Sequence, residues 1–239
     1  MKRSTSRLLQ AILLIAILAA AVRLIVILRQ RHRPAAPAQQ ATKGKPLNQE
    51  AYVVPKKLYL FDFKSAREQL TKTQVWIREG YRYAYYPFSP TTRRADFHQE
   101  AGLIGPIEQL HITDVVSQPL AGSPGHRQVL AVFDKDGRSY ALPVGTQVGN
   151  DYEIYADEMF FYEDPQSLYA FWPEETWKAI REHRLEPGMN EYQADFAVGM
   201  GVPQPGATSE AKTVKYPNGG NPLIVTYRDG KAVGIKPGS

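Results

Sequence analysis

The sequence contains no cysteine in its 239 residues. This absence excludes disulfide bonds, thiol catalysis, thiolate metal sites and the cysteine-linked lipid of bacterial lipoproteins. It leaves the redox compartment open, because a protein without thiols is compatible with oxidising and reducing surroundings alike. The length is sufficient for one large domain or two small ones.

Acidic residues are missing from the first 33 positions. Seven of the 29 basic residues lie there, which leaves 22 basic against 24 acidic residues in the rest of the chain. The isoelectric point near 9.2 therefore reflects the N-terminus. Because the remainder lacks the positive field that phosphate binding requires, we predict no nucleic-acid partner.

Polar residues are also scarce in Leu8–Leu28, where only Gln10 and Arg23 interrupt an apolar run. A helix of this length rises roughly 31 Å, which matches the hydrocarbon core of a bilayer. Residues 1–33 are predicted to be a single-pass anchor in a bacterial cell membrane, with the globular part outside the cytoplasm. The alternative is a signal peptide that is cleaved before Val22.

Three further segments follow the anchor. Residues 34–55 are rich in alanine, proline and glutamine and are predicted to be a linker. Residues 56–163 contain short alternating, aromatic-rich stretches between turn signals, which favour a mostly β domain, a small antiparallel barrel or sandwich. The dipeptide Asp136-Gly137 predicts a tight hairpin within it.

Residues 164–239 combine helix and strand signals. Asp164 and Pro165 are typical of an N-cap and a first helical residue. A helix is expected after Pro173, and Pro187-Gly188 is expected to end it. Three strands follow, the last two joined by Asp229-Gly230. The pattern predicts a two-layer ααβββ domain within an α+β protein.

The stretch between the two helices has the composition of an elbow. Asn190 is suited to cap the second helix, with Gln193 as its capping-box partner. Tyr192, Phe196 and Met200 recur at four-residue intervals and predict one apolar stripe. The prolines and glycines of this stretch are therefore interpreted as structural.

Five residues of this region, in order, carry a resemblance to a known family: Gly188, Met189, Gln193, Gly201 and Pro203. Together with the strands after them, roughly residues 173–237 resemble the SmpA/OmlA (BamE-like) domain. The resemblance implies an ααβββ fold and a location in the cell envelope.

Catalytic motifs with a known mechanism are absent from the sequence, as are nucleotide-binding loops and metal-ligand spacings. No cofactor or metal is predicted. Acidic residues are dense at Asp157, Glu158, Glu163 and Asp164, where paired carboxylates favour either acid/base chemistry or a strand end and a helix cap. The first interpretation describes an envelope hydrolase.

Tyrosines form a second candidate site. In a strand, Tyr81, Tyr83 and Tyr85 lie on one face, while Tyr86 lies on the other with Arg82 and Ala84. Such a stripe is suited either to bind a partner or to pack across strands. The preferred hypothesis is a membrane-anchored binding or scaffolding protein whose partner is another envelope protein or a wall polymer.

Overall fold

The structure, a computed structural model, describes residues 49–120, 122–206, 208 and 211–238. From Tyr52 onward the described residues form one compact unit. The fold is α+β with antiparallel sheets, which confirms the predicted class. Within the described residues no helix is long and apolar enough to cross a membrane. The predicted anchor Leu8–Leu28 lies outside them, as does most of the linker.

The first sheet contains nine antiparallel strands, in the order β3-β2-β7-β6-β5-β1-β9, with β4 paired to β2 and β8 to β7. Their bounds are β1 Gln74–Ile77, β2 Tyr83–Ser89, β3 Arg94–Ala95, β4 Gly102–Ile104, β5 Gln109–Pro119, β6 His126–Lys135, β7 Arg138–Val148, β8 Asp151–Ile154 and β9 Phe160–Phe161.

The longest ladder of this sheet joins β6 and β7. Their turn residues Asp136 and Gly137 have φ angles of 52° and 73°, the left-handed pair that a tight hairpin requires. The predicted hairpin is therefore confirmed. The sheet curls, since Ile104 of β4 and Ile77 of β1 contribute to the same buried core. Helix α1 (Phe63–Leu70) also contributes to that core.

The second sheet contains four strands in sequence order: β10 Val202–Pro203, β11 Ala211–Tyr216, β12 Leu223–Arg228 and β13 Lys231–Pro237. The three long strands match those predicted, and the two-residue β10 is an addition. The helices before it are α2 (Ala156–Met159), α3 (Pro165–Leu168), α4 (Glu174–Arg181) and α5 (Glu191–Val198). Short 3-10 turns span Gln49–Tyr52 and Asn218–Gly220.

Helix α4 ends earlier than predicted, at Arg181 rather than before Pro187-Gly188. The N–H of Arg184 donates to the carbonyl of Ala179 at 2.8 Å, and the N–H of His183 donates to Ile180 at 3.0 Å. This is a Schellman ending, in which His183 adopts the left-handed φ of 50° that glycine more often supplies. The sequence pattern did not predict this helix end, because the left-handed position is occupied by a histidine and not by a glycine.

Helix α5 begins as predicted. Asn190 accepts a hydrogen bond from the N–H of Gln193 at 2.8 Å, and the Gln193 side chain accepts one from the N–H of Asn190. The expected stripe is wrong at its end, because the helix stops at Val198 and Gly199 turns the chain at a φ of 90°. Met200 therefore leaves the helical face and is exposed.

The elbow between α4 and α5 is bonded to the outer strand of the second sheet. The N–H of Gly188 donates to the carbonyl of Ala232, and the N–H of Ala232 donates to the carbonyl of Met189, each at 2.8 Å. Gly188 has a φ of 91°, which is strained for residues with a side chain. These contacts give the elbow the structural role expected of it.

Candidate functional site

The two sheets meet along a seam, which we define by residues 78–82 after β1 and residues 191–201 of α5 and its end. The N–H of Gly80 donates to the carbonyl of Asp195 at 3.1 Å, and the N–H of Met200 donates to the carbonyl of Gly80 at 2.7 Å. Both partners of these bonds are backbone groups, so the seam holds the two segments at a defined distance.

A polar network crosses the seam. The hydroxyl of Tyr192 donates to Oε1 of Glu79 at 3.2 Å and lies 2.7 Å from the hydroxyl of Tyr169. Glu79 also forms an ion pair with Arg78 at 3.2 Å. Burial raises the pKa of Tyr192 well above its usual range, and the bond to Tyr169 adds to this. The Tyr192 hydroxyl therefore keeps its proton and stays available as a donor to Glu79.

Asp195 lies on α5 beside this network. Its Oδ1 atom is buried and has no hydrogen-bond partner. Burial raises the pKa of Asp195 to about 7, and the charge on Glu191 adds to the rise, whereas the N–H of Gly201 opposes it. A carboxyl group in this state carries a proton on much of the protein near neutral pH.

A cavity of about 180 Å³ opens at the end of the seam. We call it the Arg82 cavity, and its lining consists of Gly80, Arg82, Val198, Gly199, Met200, Pro217, Asn218 and Gly219. Arg82 belongs to none of the ion pairs among the described residues. Its Nε atom is buried and has no hydrogen-bond partner. The cavity thus presents one positive charge that its surroundings do not neutralise.

Exposed apolar side chains occur in the lining of the Arg82 cavity and in the chain segments next to it, and we call them the rim. Tyr81 is 50% exposed, and Met200, at 47%, lies against Gly80. Val202 follows Met200 and is also exposed, as is Leu103, which pairs with Ala84 on the strand after Arg82. An unpaired cation beside exposed apolar side chains can hold an anionic group on an apolar carrier.

The predicted tyrosines have different environments. Tyr83 and Tyr85 pack against the core of the first sheet, and Tyr85 contacts Phe133 and Tyr140 edge-on. Tyr86 lies on the opposite face with Phe97, in a second apolar cluster. The predicted alternation of faces is thus observed. Among the four, Tyr81 alone is classed as exposed, and it stacks on Tyr83 at 6.0 Å.

The predicted acidic residues bind backbone groups of neighbouring segments. Asp157 accepts hydrogen bonds from the N–H groups of Leu58 and Tyr59 at 3.0 and 2.9 Å. Glu163 accepts one from the N–H of Lys56, and Asp164 accepts one from Gln166 as the cap of α3. Glu158 is exposed at the surface beside them. The bonds of Asp157 and Glu163 fasten the chain segment before α1 to α2 and to the residues after β9.

Metal ligands are not grouped within the described part of the chain, where no set of three or more histidine, aspartate or glutamate side chains is placed to hold an ion. His111, on β5, is exposed, as its position between Leu110 and Ile112 predicts.

The comparisons with family models, curated proteins and solved structures find no match to this chain.

Sequence reasoning did not single out Glu79, Arg82 or Asp195. Arg82 was placed only as a neighbour of the tyrosines, and Asp195 sits in a stretch that capping signals already explain. The bond of Glu79 to Tyr192 and the unpartnered atoms of Arg82 and Asp195 arise only when residues 78–82 meet α5 and its end. The glycines at 80, 199 and 219 are the one sequence signal of a close approach there.

Proposed function

We propose that this protein is a binding and scaffolding module of the bacterial envelope, held by a single N-terminal span with its globular part outside the cytoplasm. The apolar run Leu8–Leu28 and its basic flanks support the span and the membrane location. A linker at 34–55 carries the module away from the membrane surface. Its partner is another envelope protein.

The observation that carries the binding role is the Arg82 cavity with its rim of Tyr81, Met200 and Val202. Interfaces concentrate their energy in a few aromatic and apolar anchors around a specific polar contact. Arg82, which has no acidic partner and lines the cavity together with Met200, supplies that contact. The bulk of the chain after the anchor is near neutral, so recognition depends on local contacts rather than on a general field.

We also propose that residues 173–237 are a domain of the SmpA/OmlA (BamE-like) type and that residues 56–163 form a small barrel or sandwich packed against it. Helices α4 and α5, followed by β11, β12 and β13, support the first assignment. The close packing of Gly201 against Val214 and Tyr216 gives one residue of the motif a physical role. The curled sheet around Ile77 and Ile104 supports the second.

A site-specific cross-linking experiment in intact cells tests the binding role. Because the chain has no cysteine, Tyr81→Cys and Met200→Cys each introduce a single thiol for a short photoreactive label. Val148→Cys is the matched control, since Val148 is 50% exposed on β7, as Tyr81 is after β1. We expect one discrete adduct of the same mass from positions 81 and 200 and none from 148.

Equal labelling from all three positions would mean that the rim is ordinary surface. Turnover of a wall polymer by the purified protein, lost in Glu158→Gln without unfolding, would instead favour the hydrolase that the acidic residues suggest.

A further inference from the structure

The guanidinium of Arg82 is held between glycines. A Cβ atom added at Gly105 or at Gly219 would lie 3.2 Å from Nη1, and one at Gly199 would lie 3.8 Å from Nε. Gly219 and Gly199 also have positive φ angles of 60° and 90°. Because side chains at positions 105 and 219 would crowd the guanidinium, these two glycines leave it room without supplying a counter-charge.

Arg82 donates no hydrogen bond to a described residue, yet among its nitrogens Nε alone is fully buried, so the terminal nitrogens keep access to solvent. An incoming acceptor therefore reaches the guanidinium from the open side of the cavity. An anionic acceptor there replaces water at the terminal nitrogens with charge-assisted hydrogen bonds, which are stronger than bonds between neutral groups.

The charges around the cavity select for a single negative charge. Glu79 is paired with Arg78, and Glu108, which lies near Gly105, is paired with Lys135 at 3.2 Å. This leaves the one charge of Arg82 to be balanced. A planar guanidinium matches a carboxylate in shape as well as in charge, because both groups form two parallel hydrogen bonds.

The lining and the volume of the cavity indicate the kind of group to which the bound carboxylate is attached. Val198, Met200 and Pro217 line it with apolar surface, and its volume of about 180 Å³ is below that of pockets for whole small-molecule ligands. One amino-acid residue with an apolar side chain is of suitable size. At a chain end the carboxylate and an apolar side chain are attached to the same Cα atom, so one residue supplies both, whereas an internal acidic side chain brings its carboxylate without an apolar group beside it.

We propose that the Arg82 cavity captures the C-terminal carboxylate of a partner protein, with the apolar last side chain against Met200 and Pro217. The residues before the chain end then leave the cavity past Met200, the exposed residue of its lining. This inference rests on the proposed function, because it assumes that the partner docks on this surface.

Arginine side-chain NMR of the full-length, nitrogen-15-labelled protein in detergent micelles tests the capture. The Nε–H signal of Arg82 is assigned by its loss in Arg82→Lys. The probe is N-acetyl-Ala-Leu with a free carboxyl group, compared with its C-terminal amide, with N-acetyl-Asp-N-methylamide as an internal acid, and with inorganic phosphate. We expect the free acid to shift the Arg82 signal saturably and to bind about tenfold or more tightly than the other three.

Two variants and one control accompany the titration. Arg82→Lys should weaken binding of the free acid by about tenfold, because the fork geometry is lost. Met200→Glu should also weaken it by placing a competing carboxylate on an exposed rim position, without disturbing the core. Arg228→Lys, at an exposed arginine on β12, should leave the affinity unchanged.

The capture of a chain end would be overturned if the C-terminal amide or the internal acid bound as tightly as the free acid. Tighter binding of phosphate, or no shift with any probe, would also overturn it. The failures are separable. An adduct from positions 81 and 200 without binding of the free acid leaves the binding role intact and makes the carboxylate inference wrong. Binding of the free acid without any adduct keeps the carboxylate site and makes the docking of an envelope protein on this surface wrong.

Discussion

The hydroxyl group of Tyr192 lies 3.2 Å from Oε1 of Glu79, and this bond joins the second helix of the C-terminal layer to the end of β1 in the first sheet. The residues are 113 positions apart in the chain. Their contact, together with the backbone bonds of Gly80, makes the seam a shared boundary of the two sheets.

Removing this hydroxyl should weaken the seam. Tyr192→Phe loses the bonds to Glu79 and Tyr169 in a half-buried setting, so we expect the free energy of unfolding to fall by about 1–2 kcal/mol. Urea unfolding followed by tryptophan fluorescence measures the loss. Tyr59→Phe, at an exposed tyrosine, is the control and should change little. An equal loss in both variants would contradict a specific role for the bond.

Gly201 should tolerate no side chain. A Cβ atom there overlaps Cγ1 of Val214 and comes within 2.7 Å of Cε1 of Tyr216, both of which are buried. We expect Gly201→Ala to lower the free energy of unfolding by about 2 kcal/mol or more, as overpacked cores do. In Gly234→Ala the nearest atom is 3.8 Å away, so this variant should be nearly neutral in the same measurement.

The Asn190 cap of α5 should contribute to stability and not to binding. Asn190→Ala removes the acceptor of the Gln193 N–H and should cost about 1 kcal/mol in the free energy of unfolding. The exposed Asn150, between β7 and β8, is a control in the variant Asn150→Ala. A variant at position 190 with unchanged thermal unfolding but no cross-linked adduct would show that this residue belongs to a binding site.

Asp195 should make stability fall as the pH rises. Its pKa is about 7 in the folded protein and near 3.8 in the unfolded chain, so the folded state binds the proton more tightly. The resulting stabilisation is complete below about pH 4 and is lost as the pH rises to about 7, with a slope of at most about 1.4 kcal/mol per pH unit.

Unfolding in urea at pH 5, 6, 7 and 8 measures this slope. Asp195→Asn should remove much of it and be the more stable protein above pH 7, since no charge is then buried. The exposed Asp151 provides the control Asp151→Asn, which should retain the slope. Identical pH profiles in all three proteins would exclude Asp195 as the cause.

The N-terminal run should hold the protein in the membrane. Replacing Leu14, Ile15 and Leu18 by charged residues interrupts the apolar span, and each charge at a helix centre costs about 3 kcal/mol on insertion scales. The variant should appear in the soluble fraction, whereas replacing the same residues by alanine should retain the protein in membranes. A native mature chain that starts at Val22 would contradict this prediction.

Several local features were predictable because they depend on neighbours in the chain. The turns at Asp136-Gly137 and Asp229-Gly230 need left-handed residues, and both hairpins form there. Asn190 and Gln193 satisfy each other within one helical turn, so that capping box was also predicted correctly. The end of α4 was not, because His183 adopts a conformation that the sequence pattern assigns to glycine.

The sequence by itself determined the α+β class, the alternation of tyrosines along β2 and the caps and turns, since each follows from periodicity or from bonds within a few residues. Only the tertiary structure decided that Tyr83 and Tyr85 pack inward, that Asp157 fastens a distant backbone segment, and that Arg82 lacks a counter-charge. Burial and partners are properties of segments that meet after folding, and no local pattern encodes which carboxylate will reach a given guanidinium.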